Sequence, residues 1–142
     1  MTTNLQQRFL DFHSWVYQRS RGLVGHHVIG VSTLLLETTG RRSGTRRTSA
    51  LVYARDAANF VLVASNGGSD QPPAWLSNLL ARPEVQVQVA RHRQSARAMV
   101  LRPGDEEYAR LWSLVNQHNH HRYEGYQALT KRPLPLVVLT PR

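Results

Sequence analysis

The chain contains no cysteine, which excludes disulfide frameworks, thiolate zinc sites, iron–sulfur clusters and cysteine nucleophiles together. Any redox chemistry must therefore be supplied by a bound cofactor. Lysine is nearly absent too: of 18 basic residues only Lys131 is a lysine, and the other 17 are arginine. Acids are scarce, 9 against those 18, and the formal net charge is +9. A field of that sign gathers anions, so an anionic partner is expected. Apolar runs are short. None approaches the roughly 18 residues of a membrane span, and the N-terminus, with Asn4, Gln6, Gln7, Arg8 and Asp11, has no signal-peptide core. A cytoplasmic protein is expected. Nucleic-acid-binding motifs are also missing, and the most basic stretch, Arg41 to Arg47, holds no aromatic residue, which argues against a nucleic-acid partner.

What remains is a globular chain. With 142 residues, 41% of them apolar and 19% charged, it fits one domain spanning 1–142, without a linker or internal repeat. Leu5, Phe9, Phe12 and Val16 follow helical spacing and predict an amphipathic helix over about 3–20. Its stripe packs on the rest of the domain or offers peripheral membrane contact. A glycine-containing connector with His26 and His27 completes an N-terminal part, 1–30, and strands begin near Val31. The segments Val31 to Thr39, Arg47 to Arg55, Phe60 to Ser65, Val85 to Val89, Ser95 to Leu101 and Leu134 to Thr140 carry strand patterning. Short helices are predicted from Pro73 to Ala81 and after Asp105, the latter with Tyr108, Leu111, Trp112 and Val115 as its apolar stripe. Six strands with few helices, lacking βαβ alternation, predict a mainly β (α+β) fold, a six-stranded antiparallel barrel over 31–142 with peripheral helices. So small a barrel is filled by its own side chains, and a ligand must sit outside it.

Two loops have the chemistry for that. In Thr38-Thr39-Gly40-Arg41-Arg42-Ser43-Gly44-Thr45-Arg46-Arg47, glycines permit close backbone approach, while guanidinium and hydroxyl groups supply donors to anionic oxygens. The alternative is a solvated basic hairpin. In Ala64-Ser65-Asn66-Gly67-Gly68, followed by Pro73-Ala74-Trp75, a turn leaving a strand exposes N–H groups and lets a flat ring lie against the chain, with Trp75 as a wall or as core.

Taken in order, these segments resemble the deazaflavin (F420)-dependent nitroreductase family, which includes F420H2-dependent quinone reductases. The resemblance continues through Asn78-Leu79, Arg82-Pro83-x-Val-x-Val, Tyr123-x-x-Tyr126-Gln127 and Arg132-Pro133-Leu134-Pro135-Leu136-Val137-Val138. It implies an FMN-binding-like split β-barrel that binds coenzyme F420 and passes a hydride from its reduced form to a quinone, nitroaromatic or activated enone. It further implies cofactor contacts from Arg41, Arg42, Ser43, Gly44, Arg47, Ser65, Asn66, Gly67, Gly68 and Trp75. Where relatives carry Lys, this chain has Arg42. Tyr123, Tyr126 and His120, which replaces a third tyrosine, stand where a phenol or imidazole serves the acceptor. The competing readings are an FMN-binding split-barrel oxidoreductase and a non-enzymatic basic protein binding nucleic acid or a membrane surface. His118, His120 and His121 lack carboxylates at ligand spacing, so no metal site is expected.

Overall fold

The computed structural model describes residues 32–142. The predicted helix at 3–20, with the membrane contact it was to supply, and His26 and His27 lie outside the described residues. Seven strands, β1 (Thr33–Thr39), β2 (Arg46–Val52), β3 (Ala54–Asp56), β4 (Asn59–Val63), β5 (Glu84–Val89), β6 (His92–Leu101) and β7 (Leu136–Pro141), form one antiparallel sheet in the order β2-β1-β5-β6-β7-β4-β3. Among the described residues three helices accompany it: α1 (Ala74–Ala81), α2 (Tyr108–His118) and α3 (Arg122–Gln127). A single 3-10 turn covers Asn66–Gly68.

Seven strands replace the six read from sequence, and the reason lies at Tyr53. The expected strand Arg47 to Arg55 changes partner there. Its first part pairs with β1, from Thr33↔Val52 to Thr39↔Arg46, and its last part with β4, from Ala54↔Val61 to Asp56↔Asn59. One segment thus supplies both ends of the sheet, which curls so that consecutive residues form its two outermost strands. A hydrophobicity pattern reads continuously through such a bend. Tyr53 stays buried at the corner, with its ring edge-on to Phe60 at 5.4 Å.

Strand alternation distributes the core onto two faces. Phe60, Leu62, Val137 and Leu139 point into the curl with Leu34, Leu36, Val85 and Val87, where Trp75, Leu76 and Leu79 of α1 join them. Val61, Val63, Leu136 and Val138 point outward and are covered by Leu111, Val115 and Tyr123. This explains why β4 and β7 read as unbroken apolar runs. A leucine buried at such a position contributes roughly 1.5–3 kcal/mol. The interior is filled by side chains, which leaves the two loops, at the ends of β1 and β4, as the places where chemistry meets solvent.

Candidate functional site

The basic loop is a tight connection between β1 and β2. The N–H of Gly40 donates to the carbonyl of Thr45 at 2.7 Å, and that of Gly44 to the carbonyl of Gly40 at 2.9 Å. Gly44 takes a φ of 71°, a conformation glycine adopts without steric cost. The Ser43 hydroxyl is turned inward and accepts the Thr45 N–H at 3.1 Å. Residues 41–48 are all exposed, and Asn78 of α1 anchors the loop from beneath. Its Oδ1 accepts the Arg41 N–H at 3.2 Å and its Nδ2 donates to the buried Thr38 Oγ1 at 3.2 Å.

Five of the described arginines pair with acids. Glu37 pairs with Arg93 at 2.9 Å and Arg46 at 3.7 Å, Glu84 with Arg97 and Arg142, and Asp56 and Glu107 with Arg110. Among the described residues, Arg41, Arg42 and Arg47 have no carboxylate partner. Arg55, Arg82, Arg91, Arg102, Arg122 and Arg132 lack one as well, so what sets the loop apart is that three such guanidinium groups stand close together in one exposed stretch.

The second loop leaves β4 and runs through three successive left-handed residues, Asn66 (φ 45°), Gly67 (65°) and Gly68 (85°). A Cβ on Gly68 would stand 2.7 Å from the Tyr126 carbonyl oxygen and 3.1 Å from the Tyr126 Cα. Only glycine permits that backbone-to-backbone approach, and it brings the turn against α3. Ser65 and Gly68 are buried, while Asn66 is exposed and uses its amide to donate to the Gln71 carbonyl at 2.9 Å. Trp75, 8% exposed, belongs to the inner core below the turn.

The tyrosines have different environments. Tyr123 is 6% exposed and packs in the outer core, where burial pushes its phenol well above the ordinary value of 10.0 against a smaller opposing hydrogen bond from Asn119. Tyr126 is half-buried beside the turn, its ring edge-on to Tyr123 at 6.2 Å. His120 and His121 are exposed at left-handed positions between α2 and α3, with His121 Nδ1 3.2 Å from Glu124 Oε2. The structure therefore brings Ser65 to Gly68 together with Tyr126, leaves Arg41, Arg42 and Arg47 on the loop tied to α1 through Asn78, and keeps Tyr123 and Trp75 in the core.

Three further residues hold this arrangement, and sequence reasoning gave them no role. Asn78 is one. Gln127 donates to the carbonyls of Arg132 at 2.9 Å and Thr130 at 3.3 Å, and accepts the Leu134 N–H at 2.9 Å. Arg132 donates from Nε to the Ser69 carbonyl at 2.8 Å, from Nη1 to Ala64 at 3.3 Å, and from Nη2 to Ser65 at 2.8 Å and Gln71 at 3.5 Å. All three stand inside the shared motifs, and that position was the only available signal: Gln127 bonds residues 3 to 7 along the chain in an irregular segment, while the side chains of Asn78 and Arg132 bond residues 37 to 68 away. Two shallow concavities, of about 260 and 180 Å³, lie on a different face, over β1 and β5 around Glu37 and Gln86. Their walls are closed by the Glu37 ion pairs, and neither touches the turn or the tyrosines.

The family model for F420H(2)-dependent quinone reductases matches residues 10–141. An F420H(2)-dependent quinone reductase of Mycobacterium tuberculosis is 43% identical over 136 residues, covering 95% of this chain and 91% of that protein. Among solved structures, an F420-H2 dependent reductase is 30% identical with a TM-score of 0.68, covering 75% of this chain and 92% of that one. A structure described as a domain-swapped dimer is also 30% identical, with a TM-score of 0.71 over 88% of this chain and 96% of that one. The heme storage protein HutZ of Vibrio cholerae, 14% identical with a TM-score of 0.60 over 94% of this chain and 90% of that one, shares the fold alone.

Proposed function

This chain belongs to the F420H(2)-dependent quinone reductase family, and from that premise we propose how its own residues serve the reaction. The protein is an oxidoreductase whose cofactor is coenzyme F420 and whose acceptor is a quinone-type small molecule. When bound, the reduced deazaflavin supplies a hydride. Arg41, Arg42 and Arg47 hold the anionic phosphate and carboxylate groups of the coenzyme. Their lack of carboxylate partners fits that task, as does the fixed loop geometry given by Ser43, Gly44 and Asn78. The Ser65–Gly68 turn presents backbone N–H groups and a surface free of side chains at its glycines, suited to a flat ring. Trp75 supports that turn from within the core.

The observation that carries the reading is the contact of Gly68 with Tyr126. The turn expected to hold the coenzyme and the helix expected to face the acceptor meet with no room for a single methyl group. Tyr126 is therefore the residue assigned to donate a hydrogen bond to the acceptor oxygen, where negative charge develops as hydride arrives. Tyr123, buried behind it, holds the Tyr126 ring. His120, exposed just after α2, borders the acceptor and offers it an imidazole. Nitroaromatics and activated enones, which likewise gather negative charge on oxygen, are the further acceptor classes.

The test is titration of the purified protein with F420 and with FMN, read by protein fluorescence. F420 binds and FMN binds weakly. Arg42→Ala and Arg47→Ala each weaken F420 binding by about 1–3 kcal/mol without lowering Tm, and added salt weakens the wild type because exposed contacts are screened over about 8 Å at physiological ionic strength. Tight binding of FMN alone, or unchanged affinity in both variants, contradicts the assignment.

A further inference from the structure

The turn at Asn66–Gly68 is not self-supporting. Three successive residues with positive φ (45°, 65° and 85°) are held from within by two backbone hydrogen bonds, from the Gly68 N–H to the Ser65 carbonyl at 2.9 Å and from the Ser69 N–H to the Asn66 carbonyl at 3.1 Å, and by the Asn66 amide on the Gln71 carbonyl. The carbonyls of Ala64, Ser65 and Ser69 turn to one guanidinium, Arg132, which also reaches at 3.5 Å the Gln71 carbonyl that accepts the Asn66 amide. Arg132 makes no ion pair shorter than 4 Å with any carboxylate among the described residues, and its donors are engaged by main chain. It comes from a segment more than 60 residues along the chain, directly after α3, so it joins the turn to the part of the molecule that carries Tyr126.

Peptide geometry turns this into a statement about binding. The described peptides are all trans, and in a trans planar peptide the N–H points opposite to the C=O. With the carbonyls of Ala64, Ser65 and Ser69 directed at Arg132, the N–H groups of Ser65, Asn66 and Asp70 are directed away from it. Successive N–H groups in such a turn form a concavity that attracts anionic oxygen.

We propose that Arg132 is a positioning residue for coenzyme binding. Its planar fork gathers four carbonyls behind the Ser65–Gly68 turn and so fixes the N–H groups on the opposite side toward an anionic oxygen of the ligand. This rests on the reading that the turn takes F420. Lysine cannot replace it, since an ammonium has three donors and no planar fork with which to span four acceptors. The positive charge behind the turn has the right sign as well, adding to the field felt by an anion in front of it. Burial lowers the pKa of Arg132 from its ordinary value of 12.5, as fits a guanidinium solvated by carbonyls rather than water, and leaves it charged at every working pH.

The experiment compares wild type, Arg132→Lys and Arg132→Gln in two measurements. In the ligand-free protein, amide hydrogen exchange at Gly68 and Ser69 accelerates in both variants while the amides of β4 and β7 keep their protection. With F420, both variants bind about tenfold or more weakly, and in turnover with menadione the loss falls on KM for F420H2 rather than on kcat. Unchanged exchange at Gly68 and Ser69 overturns the proposal, as does unchanged F420 affinity despite faster exchange. Loss of protection throughout β4 and β7 in parallel with affinity also overturns it, because Arg132 would then be a general stabiliser. A wild type that takes no F420 contradicts the functional reading instead, and the exchange data then decide by themselves whether Arg132 holds the turn.

Discussion

Asn78 occupies a buried position on a helix whose neighbours are Trp75, Leu76 and Leu79, and a polar side chain survives there because both ends of its amide are used. Asn78→Ala leaves Thr38 Oγ1 without its donor and the Arg41 N–H without its acceptor. The variant is expected to lose about 1–3 kcal/mol in urea unfolding and to bind F420 more weakly, because the loop carrying Arg41 and Arg42 loses its anchor. Unchanged affinity would show that the loop holds its shape alone. Residue identity was visible in the sequence at this scale, but residue role was not. Asn78 and Arg132 act on partners distant in sequence, Gln127 on the irregular segment just after it, and nothing in local spacing indicates which amide or guanidinium turns inward. Tyr123 packs with Leu136 and Val138 in the outer core, whereas Tyr126, one helical turn on, meets the turn at Gly68.

At the scale of the element, the two glycine-bearing loops make a controlled comparison. Gly44 and Gly68 both have positive φ, but a Cβ on Gly44 meets nothing within 4 Å, whereas one on Gly68 meets the Tyr126 backbone at 2.7 Å. Gly44→Ala is expected to cost only the left-handed strain of about 1–2 kcal/mol. Gly68→Ala must in addition force apart the turn and α3, and is expected to show a distinctly larger fall in unfolding free energy together with slower turnover. Equal costs would contradict the contact. A second element-scale tie joins α2 to β3, where Arg110 donates from both Nη atoms to the two Asp56 oxygens at 2.9 Å. That hydrogen bond is the main cause holding the Asp56 carboxyl below its ordinary value of 3.8, against a smaller desolvation effect. A carboxyl depressed in the folded state stabilises above its unfolded pKa, and the stabilisation is lost as pH falls through the folded value. Asp56→Asn is therefore expected to have a slightly lower Tm than wild type at pH 7, the small size following from solvent exposure, with the gap closing below about pH 4. A gap independent of pH would remove the ion pair as its cause.

For the molecule as a whole, the barrel class and the approximate places of its strands were legible because alternation in β5 and the unbroken apolar runs of β4 and β7 are forced by which faces they bury. The strand count was not, because partner exchange at Tyr53 leaves no mark on hydrophobicity. Net charge predicted an anionic partner, but only the structure shows which arginines are tied to Glu37, Glu84 and Asp56 and that Arg41, Arg42 and Arg47 are not among them. HutZ, at 14% identity, shares the fold alone, so function has to be argued from the site and not from the barrel. The central claim is that hydride leaves coenzyme held by the two loops for an acceptor hydrogen-bonded by Tyr126. Anaerobic single-turnover mixing of enzyme-bound F420H2 with menadione tests it most directly, with F420 affinity measured separately for wild type and Tyr126→Phe. The account predicts rapid oxidation by the wild type and a rate about 10²-fold lower in the variant, at nearly unchanged F420 affinity. Equal rates in the two proteins, or loss of affinity and stability in step with rate, would contradict it.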